Sequence, residues 1–147
     1  MKKLNFPKYS FRTQKEKDYE LIFNEIRKSW VRLTPEEWVR QHVIFFLVDQ
    51  RGFPASLIAV EKEILVQGRK KRFDIVCYDE SHEPFLLVEC KAPEVKVNEN
   101  TLAQALRYNS VLQSKYVVIT NGVSLYTASL NHQENKVEYN NDIPYFQ

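Results

Sequence analysis

The stretch RFDIVCYDESHEPFLLVECK, residues 72–91, decides the fold. It contains two apolar runs, residues 72–78 and 85–90, separated by a polar connection that has the length of a hairpin loop. The pattern therefore predicts two neighbouring antiparallel strands. Charged side chains seldom enter central strands without a partner, so the charges inside these runs require an explanation.

Three charged residues stand out in this stretch: Asp74, Glu89 and Lys91. Because side chains alternate between the two faces of a strand, we expect Asp74 to share a face with Val76 and Tyr78, and Glu89 to share one with Lys91. A short hairpin sets the two strands side by side. The carboxylates of Asp74 and Glu89 are therefore predicted to converge.

The residues that follow predict a crossover connection. Residues 98–113 have helical spacing, and residues 116–120 form a short apolar run. A strand reached through a helix usually lies parallel to the preceding strand, so residues 116–120 should lie beside residues 85–90. A last hairpin is predicted from residues 124–130 and 136–139. The buried stripe of the helix is predicted to be Leu102, Ala105, Leu106 and Leu112.

Upstream, residues 57–66 predict a strand that the connection 67–71 joins to the first run. Before it, Thr34, Pro35 and Glu37 occupy the N-cap, first and third positions of a capping box, which predicts a helix that ends before Gly52. Residues 14–31 also have helical spacing and predict an earlier helix.

The order of these elements predicts a single α/β domain with a mixed central β-sheet flanked by helices. Within the 147 residues we assign an N-terminal arm and helix to residues 1–33, a core to residues 34–122, and a C-terminal hairpin and tail to residues 123–147. A content of 44% hydrophobic residues suffices for a core of this size.

Composition excludes several classes of protein. The basic N-terminus lacks the apolar segment of a signal peptide, and the longest apolar run, residues 43–48, is too short to span a bilayer. We therefore expect a cytoplasmic protein without a membrane segment. Cys77 and Cys90 lie in apolar strands, which predicts buried free thiols. The three histidines and two cysteines lack the paired spacing of a zinc site.

The residues alone leave two interpretations of Asp74, Glu89 and Lys91 open. The first is a hard-metal site, because Mg²⁺ commonly binds one or two carboxylates together with waters and phosphate oxygens, and a neighbouring lysine can assist hydrolysis. The second is a structural ion pair between Glu89 and Lys91, with Asp74 facing solvent. The basic run 69–72 is likewise either a solvated turn or a phosphate contact through Lys71 and Arg72.

The pattern of Asp74 followed by Glu89-Cys-Lys91 resembles the signature of the PD-(D/E)XK nuclease superfamily, with Phe73 in place of the usual proline. Gln104 and Tyr108 resemble the Gln-x-x-x-Tyr motif of one branch, and their spacing puts them on one helix face. The chain resembles more specifically the N-terminal nuclease domain of type I restriction enzyme R subunits. That likeness runs through TPEEWVRQ (34–41), GRKKRFDIV (68–76), VECKAP (88–93) and ITNG (119–122).

The resemblance implies a restriction-endonuclease-like core and a Mg²⁺-dependent DNA endonuclease, in which Mn²⁺ can substitute. It implies Asp74 and Glu89 as metal ligands, Lys91 as the catalytic lysine, Gln104 near the scissile phosphate and Tyr108 near the DNA backbone. A catalytic glutamate on the first core helix would be Glu36 or Glu37, of which we favour Glu37, although its capping position offers an alternative role. Arg40, one turn later, is either a partner of the site or of a phosphate, or a surface charge.

Motor domains follow this domain in type I R subunits, yet the chain has no nucleotide-binding Gly-x-x-x-x-Gly-Lys-[Ser/Thr] loop. We therefore expect separate motor or specificity subunits as partners. An alternative function is a DNA-binding or assembly module with little activity alone. A third is an interaction domain in which the aromatic arm packs on a partner or the chain forms a homodimer. In the competing interpretation, the arm covers one face of the domain's own sheet. The residues of that arm are Phe6, Tyr9, Phe11 and Trp30.

Overall fold

The computed structural model describes all 147 residues of the chain. A short 3-10 helix, Ala55–Leu57, precedes the fourth strand. The main elements are β1 (Thr13–Lys15), β2 (Glu20–Asn24), β3 (Ser29–Arg32), α1 (Pro35–Gln50), β4 (Ile58–Val66), β5 (Arg69–Tyr78), β6 (Pro84–Cys90), α2 (Glu99–Leu112), β7 (Tyr116–Thr120), β8 (Leu125–Asn131) and β9 (Lys136–Asn140).

A six-stranded mixed sheet of order β4-β5-β6-β7-β8-β9 forms the centre of the molecule. Strands β6 and β7 are parallel, and every other neighbouring pair is antiparallel. Helix α2 is the crossover between β6 and β7, as the strand–helix–strand order predicted. The predicted α/β class with a mixed central sheet is confirmed, and so is the final hairpin, formed by β8 and β9.

The two helices cover opposite faces of this sheet. Helix α1 packs Val39, Val43 and Leu47 against one face. Helix α2 packs Leu102, Ala105 and Leu112 against the other, which confirms most of its predicted stripe. Leu106 of that stripe is only partly buried. Each fully buried aliphatic side chain contributes about 1.5–3 kcal/mol, so the sheet is stabilised from both sides.

Local signals fix where both helices begin. Thr34 is the N-cap of α1 and its hydroxyl accepts a hydrogen bond from the Glu37 N–H at 3.0 Å, while Pro35 occupies the first turn. Asn98 caps α2 by accepting from two backbone N–H groups. Helix α1 ends at Gln50, just before Gly52. The predicted boundaries of both helices are therefore confirmed.

The helix predicted over residues 14–31 is wrong, because this segment forms the antiparallel sheet β1-β2-β3. The Asn24 side chain accepts hydrogen bonds from two backbone N–H groups that follow it, and Lys28 adopts a φ of 55°, so the chain turns back. Phe23 then lies directly opposite Trp30, with their rings 5.4 Å apart. Aromatic cross-strand packing outweighs a helical spacing that two short strands produced by coincidence.

The N-terminal arm covers the surface of its own domain. Phe6 packs against Phe46 of α1 at 5.3 Å, and Phe11 against Trp38 at 5.2 Å. Leu4 is buried so close to Gly122 that a Cβ atom at this glycine would meet the leucine side chain at 2.8 Å. The arm therefore packs on its own domain, but its aromatic residues contact helix α1 and not a face of the sheet as predicted, and Trp30 stays partly exposed.

The connection predicted over residues 67–71 is too long. Gln67 and Gly68 have φ values of 52° and 78° and form a two-residue turn, so β5 begins at Arg69. The basic run 69–72 is therefore part of a strand and not of a solvated turn.

The two cysteines, Cys77 and Cys90, are free and buried, as predicted. Neither α1 nor α2 combines the length and the apolar character that crossing a bilayer would require.

Candidate active site

The candidate site lies where strands β5 and β6 separate. Ile75 pairs with Val88 as the last rung between them, and the next two residues, Asp74 and Glu89, form no rung. Strand β5 continues alongside β4, and Glu89 continues alongside Ile119 of β7. A gap thus opens between β5 and β6. Asp74 lies on its β5 edge and Glu89 on its β6 edge.

The carboxylate of Asp74 spans this gap. One of its oxygens, Oδ2, accepts a hydrogen bond from the Cys90 N–H at 2.8 Å. Oε1 of Glu89 lies 3.4 Å from the backbone nitrogen of Asp74. The two acidic residues therefore meet, as their positions on neighbouring strands suggested.

Strict alternation along β5, however, is wrong at this point. Phe73 packs with Val76 in the cluster beneath α2, where alternation places them on opposite faces. Asp74 contacts Arg40 of α1, so its carboxylate does not lie with Val76 and Tyr78. The side-chain alternation thus breaks between Phe73 and Val76, where the rungs to β6 stop, although the register with β4 is the same on both sides of Asp74.

The surroundings of Glu89 disfavour its ionised form. Burial and, after it, the negative charge of Asp74 raise the pKa of Glu89 to about 8, although the ammonium of Lys71 opposes both effects. Without a cation, Glu89 therefore retains its proton near neutral pH.

A cleft of about 120 Å³ opens beside Glu89, on the side of the sheet that α2 covers. Its walls include Lys71, Lys91, Gln104 and Tyr108. Lys71 Nζ lies 4.7 Å from the centre of the Tyr108 ring, which holds this ammonium over the cleft. Four residues selected from the sequence thus line one cavity with Glu89.

The alternative of a Glu89–Lys91 ion pair is wrong. No ion pair within 4.0 Å joins the two side chains, although both line the cleft. Arg72 lies outside the cleft, where its exposed side chain is 4.0 Å from Glu63. Of the two basic residues proposed to contact phosphate, only Lys71 faces the cavity.

Arg40 is a partner of the site and not a surface charge. Its side chain is only 7% exposed, and its guanidinium donates to Glu37 at 3.0 Å, Glu61 at 2.9 Å and Asp74 at 3.2 Å. A fourth carboxylate, Glu36, lies 3.5 Å away. These carboxylates raise the pKa of Arg40 above its ordinary value despite its burial, so the group remains a fixed cation.

Glu37, the glutamate favoured from the sequence, supports Arg40 and does not line the cleft. Its oxygens accept hydrogen bonds from Arg40 at 3.0 Å and from Gln41 at 2.7 Å. It makes no return bond to Thr34, so only half of the predicted capping box is formed. Burial raises the pKa of Glu37.

Glu36 is the more exposed of the two glutamates. Burial and then the charge of Asp74 raise the pKa of Glu36, while Arg40 and Lys91 lower it. Both glutamates of the first turn of α1 thus contact Arg40, but only the pKa of Glu36 is also lowered by the charge of Lys91.

Sequence reasoning missed Glu61, the residue opposite Asp74 on β4. Its neighbours Val60 and Lys62 pair with Ile75 and Phe73, whereas Glu61 itself adopts a φ of 55°. This left-handed conformation is costly for a residue other than glycine and turns the carboxylate towards Arg40.

The environment of Glu61 is strongly cationic. Burial alone would raise the pKa of Glu61, but the hydrogen bond and charge of Arg40, followed by the charge of Arg27, lower it. The sequence signal was weak, because Glu61 is one of three consecutive charged residues, 61–63, in this strand.

The residues present suit a divalent metal bound by oxygen. No group of three or more His, Cys, Asp or Glu side chains is arranged as a metal site. Mg²⁺, however, needs only one or two carboxylates when waters and phosphate oxygens complete its shell. Asp74 and Glu89 provide two, and a cation between them would remove the repulsion that raises the pKa of Glu89.

Comparisons with known proteins yield one family and one fold. The family described as type I restriction enzyme R protein N terminus matches residues 35–144. A solved fragment assigned to an HsdR subunit of a type I restriction enzyme from Vibrio vulnificus YJ016 superposes with a TM-score of 0.55 at 19% identity.

The superposition covers 77% of this chain and 24% of that one, so this chain spans about a quarter of the solved fragment. At this identity the likeness demonstrates a shared fold. No curated protein sequence matches the chain.

Proposed function

This chain belongs to the family of type I restriction enzyme R protein N-terminal regions, and we propose that it is a metal-dependent DNA endonuclease of the PD-(D/E)XK type. Its family gives it a role related to restriction enzymes. The observation that carries the finer proposal is the meeting of Asp74 and Glu89 where β5 and β6 separate. Glu89, but not Asp74, lines the cleft that Lys91 also lines.

Asp74 and Glu89 would hold Mg²⁺ or Mn²⁺. A bound ion of this kind neutralises charge on a scissile phosphate and acidifies a coordinated water. The Cys90 N–H and Arg40 each occupy one acceptor position of Asp74 and fix its orientation. Because a carboxylate has about four acceptor positions, Asp74 keeps capacity for a further ligand.

The basic and polar residues of the cleft have separate tasks in this proposal. Lys91 has no ion-pair partner within 4.0 Å, so its ammonium is available to orient a water or to stabilise charge that develops on phosphate. Lys71 and Tyr108 form one basic and aromatic wall that suits a DNA backbone, with Gln104 beside them. Arg72 would contact phosphate from the rim. Arg40 positions Asp74 and does not touch DNA.

A DNA-binding or assembly module with little activity alone is the second candidate. The observation that favours it is that no group of three or more His, Cys, Asp or Glu side chains is arranged as a metal site. Partners would then be DNA and separate motor or specificity subunits. A homodimer paired through an edge strand such as β9 is a further candidate.

Cleavage of supercoiled plasmid DNA in Mg²⁺ or Mn²⁺ tests the nuclease proposal. We expect cleavage by the wild type, its abolition by EDTA, and a rate at least about a hundredfold lower for Lys91→Ala. Lys96→Ala is the matched control, because this exposed lysine lies five positions away and outside the cleft.

Equal rates for Lys91→Ala and the wild type would contradict the catalytic assignment. Salt-dependent DNA binding without any metal-dependent cleavage would favour the second candidate.

A further inference from the structure

The sheet β1-β2-β3 has an outer face of unusual composition. In antiparallel strands, residues directly opposite one another share a face, so Phe23 lies with Trp30, and Leu21 lies with Arg32. Trp30 is 40% exposed, and Tyr19, in the turn before β2, is 44% exposed. Large aromatic side chains thus remain accessible on a sheet whose other face buries Ile22.

Two arginines lie over these rings. The guanidinium of Arg12 is 4.1 Å from the centre of Phe23 and 5.8 Å from that of Trp30. Arg32 lies 5.0 Å from the ring of Tyr19. Arginine over an aromatic ring keeps its hydrogen-bond donors directed outwards while its plane is held in place, which presents a cation beside a stacking surface.

Charge is distributed unequally along the chain. Residues 1–33 carry nine basic and four acidic side chains, a net charge of +5, whereas residues 34–147 carry twelve and fifteen, a net charge of −3. Glu25 lies 3.9 Å from Arg12, a distance at which an exposed pair is weak and easily exchanged for a phosphate. Three of these basic residues, Lys2, Lys3 and Lys8, belong to the arm, so residues 12–33, which form the sheet, carry six basic and four acidic side chains, a net charge of +2.

The sheet is also connected to the candidate site. Arg27, in the turn between β2 and β3, donates a hydrogen bond to Glu61, which accepts another from Arg40, and Arg40 donates to Asp74. The β2–β3 turn is thus linked through Glu61 and Arg40 to Asp74, the proposed metal ligand. The matched family residues begin at position 35, so this sheet precedes them.

We propose that the outer face of β1-β2-β3 binds single-stranded DNA, with bases stacked on Trp30 and Tyr19 and phosphates held by Arg12 and Arg32. Proteins that bind single strands combine positive charge with aromatic side chains on which unpaired bases stack. Bases in a duplex already stack on one another and do not offer their faces to a flat sheet. Delivery of the bound single-stranded DNA to the cleft rests on the proposed nuclease function, whereas its binding to the sheet does not.

Fluorescence anisotropy of a labelled oligothymidylate of about twelve nucleotides, titrated with protein in EDTA, tests the binding. EDTA removes any metal-dependent cleavage, so failure of the nuclease proposal leaves this readout unaffected. We expect Trp30→Ala and Arg32→Ala each to weaken binding about tenfold. Matched controls are Tyr139→Ala, 66% exposed on β9, and Lys136→Ala, at the start of the same strand.

Three comparisons separate stacking from other causes. Trp30→Phe should restore most of the affinity, because a phenyl ring still stacks, and its recovery excludes misfolding of the sheet. An abasic oligonucleotide of the same length should bind about tenfold more weakly than oligothymidylate. Quenching of tryptophan fluorescence on titration should disappear in Trp30→Phe, since Trp38 is packed under the arm.

Equal affinity for the abasic and the normal strand would overturn the proposal, as would a preference for duplex of the same length. Absence of DNA binding, with self-association or capture of a protein through the same face, would also overturn it.

Discussion

Arg40 donates a hydrogen bond to Asp74 at 3.2 Å while the same guanidinium holds Glu37 and Glu61 at 3.0 and 2.9 Å. The buried guanidinium of Arg40, on helix α1, thereby orients the carboxylate of Asp74 in the candidate metal site. The stability of the domain and the geometry of the site depend on the same side chain.

Arg40→Gln is expected to destabilise the protein by about 3–5 kcal/mol, because it leaves several carboxylates buried without their cation. Arg72→Gln, which breaks an exposed contact of 4.0 Å, should cost less than about 1 kcal/mol. Urea denaturation followed by circular dichroism measures both. Similar losses for the two variants would show that Arg40 is not the centre of the network.

Glu89→Gln is expected to stabilise the metal-free protein at pH 8. The pKa of Glu89 in the folded state, about 8, lies above the ordinary value near 4.3 of an unfolded chain. The folded state therefore holds a proton that the unfolded state releases, so stability is full below about pH 4 and falls as pH rises towards 8.

In EDTA, the free energy of unfolding of Glu89→Gln should exceed that of the wild type by a few kcal/mol at pH 8, and the difference should shrink towards pH 5. Glu138→Gln, on the exposed strand β9, is the control. A difference that does not change with pH would rule out the raised pKa.

Binding of Mn²⁺ should release a proton, because Glu89 must ionise to become a ligand. Below the pKa of Glu89 the affinity should rise about tenfold for each unit of pH, and Asp74→Asn and Glu89→Gln should each weaken it strongly. Isothermal titration calorimetry in buffers of different ionisation enthalpy reports both quantities. Affinity that is constant between pH 6 and 8 would contradict this coupling.

Substitutions of Glu36 and Glu37 should affect cleavage activity and stability differently. Glu37→Gln is expected to cost about 2–3 kcal/mol of stability, because it removes a buried charge bonded to Arg40 and Gln41. Glu36→Gln, at a half-exposed position, should change stability by less than about 0.5 kcal/mol yet lower plasmid cleavage. Thermal melts and cleavage rates of the two variants provide the comparison, and the reverse pattern would return the catalytic role to Glu37.

Periodicity and caps made most of the fold predictable. The runs on either side of Asp79 could only be neighbouring strands, and Thr34 followed by Pro35 marked a helix start that the structure confirms. The meeting of Asp74 with Glu89 followed from the same hairpin. These features depend on residues close together in the sequence, where spacing alone restricts the geometry.

The remaining features depend on contacts between distant residues. Arg40 and Glu61 are 21 positions apart, and the left-handed backbone of Glu61 has no glycine to signal it. The spacing of residues 14–31 fitted a helix. The turn at Asn24 and the pairing of Phe23 with Trp30 instead stabilise strands. Arg40 contacts both Glu36 and Glu37, and the two differ in burial, which the sequence did not reveal.

The carboxylate of Asp74 occupies the place of a missing rung between two strands, because it accepts the Cys90 N–H that no backbone carbonyl reaches. Removing that acceptor leaves the Cys90 N–H unsatisfied, which costs about 1–3 kcal/mol of stability. It also weakens the sheet where β5 and β6 separate. An alanine at this position would therefore be an unsuitable inactive reference for genetic or biochemical work, since loss of cutting and loss of folding would be confounded. Lys91, whose side chain bears no such structural duty, is the position at which a clean null allele should be made.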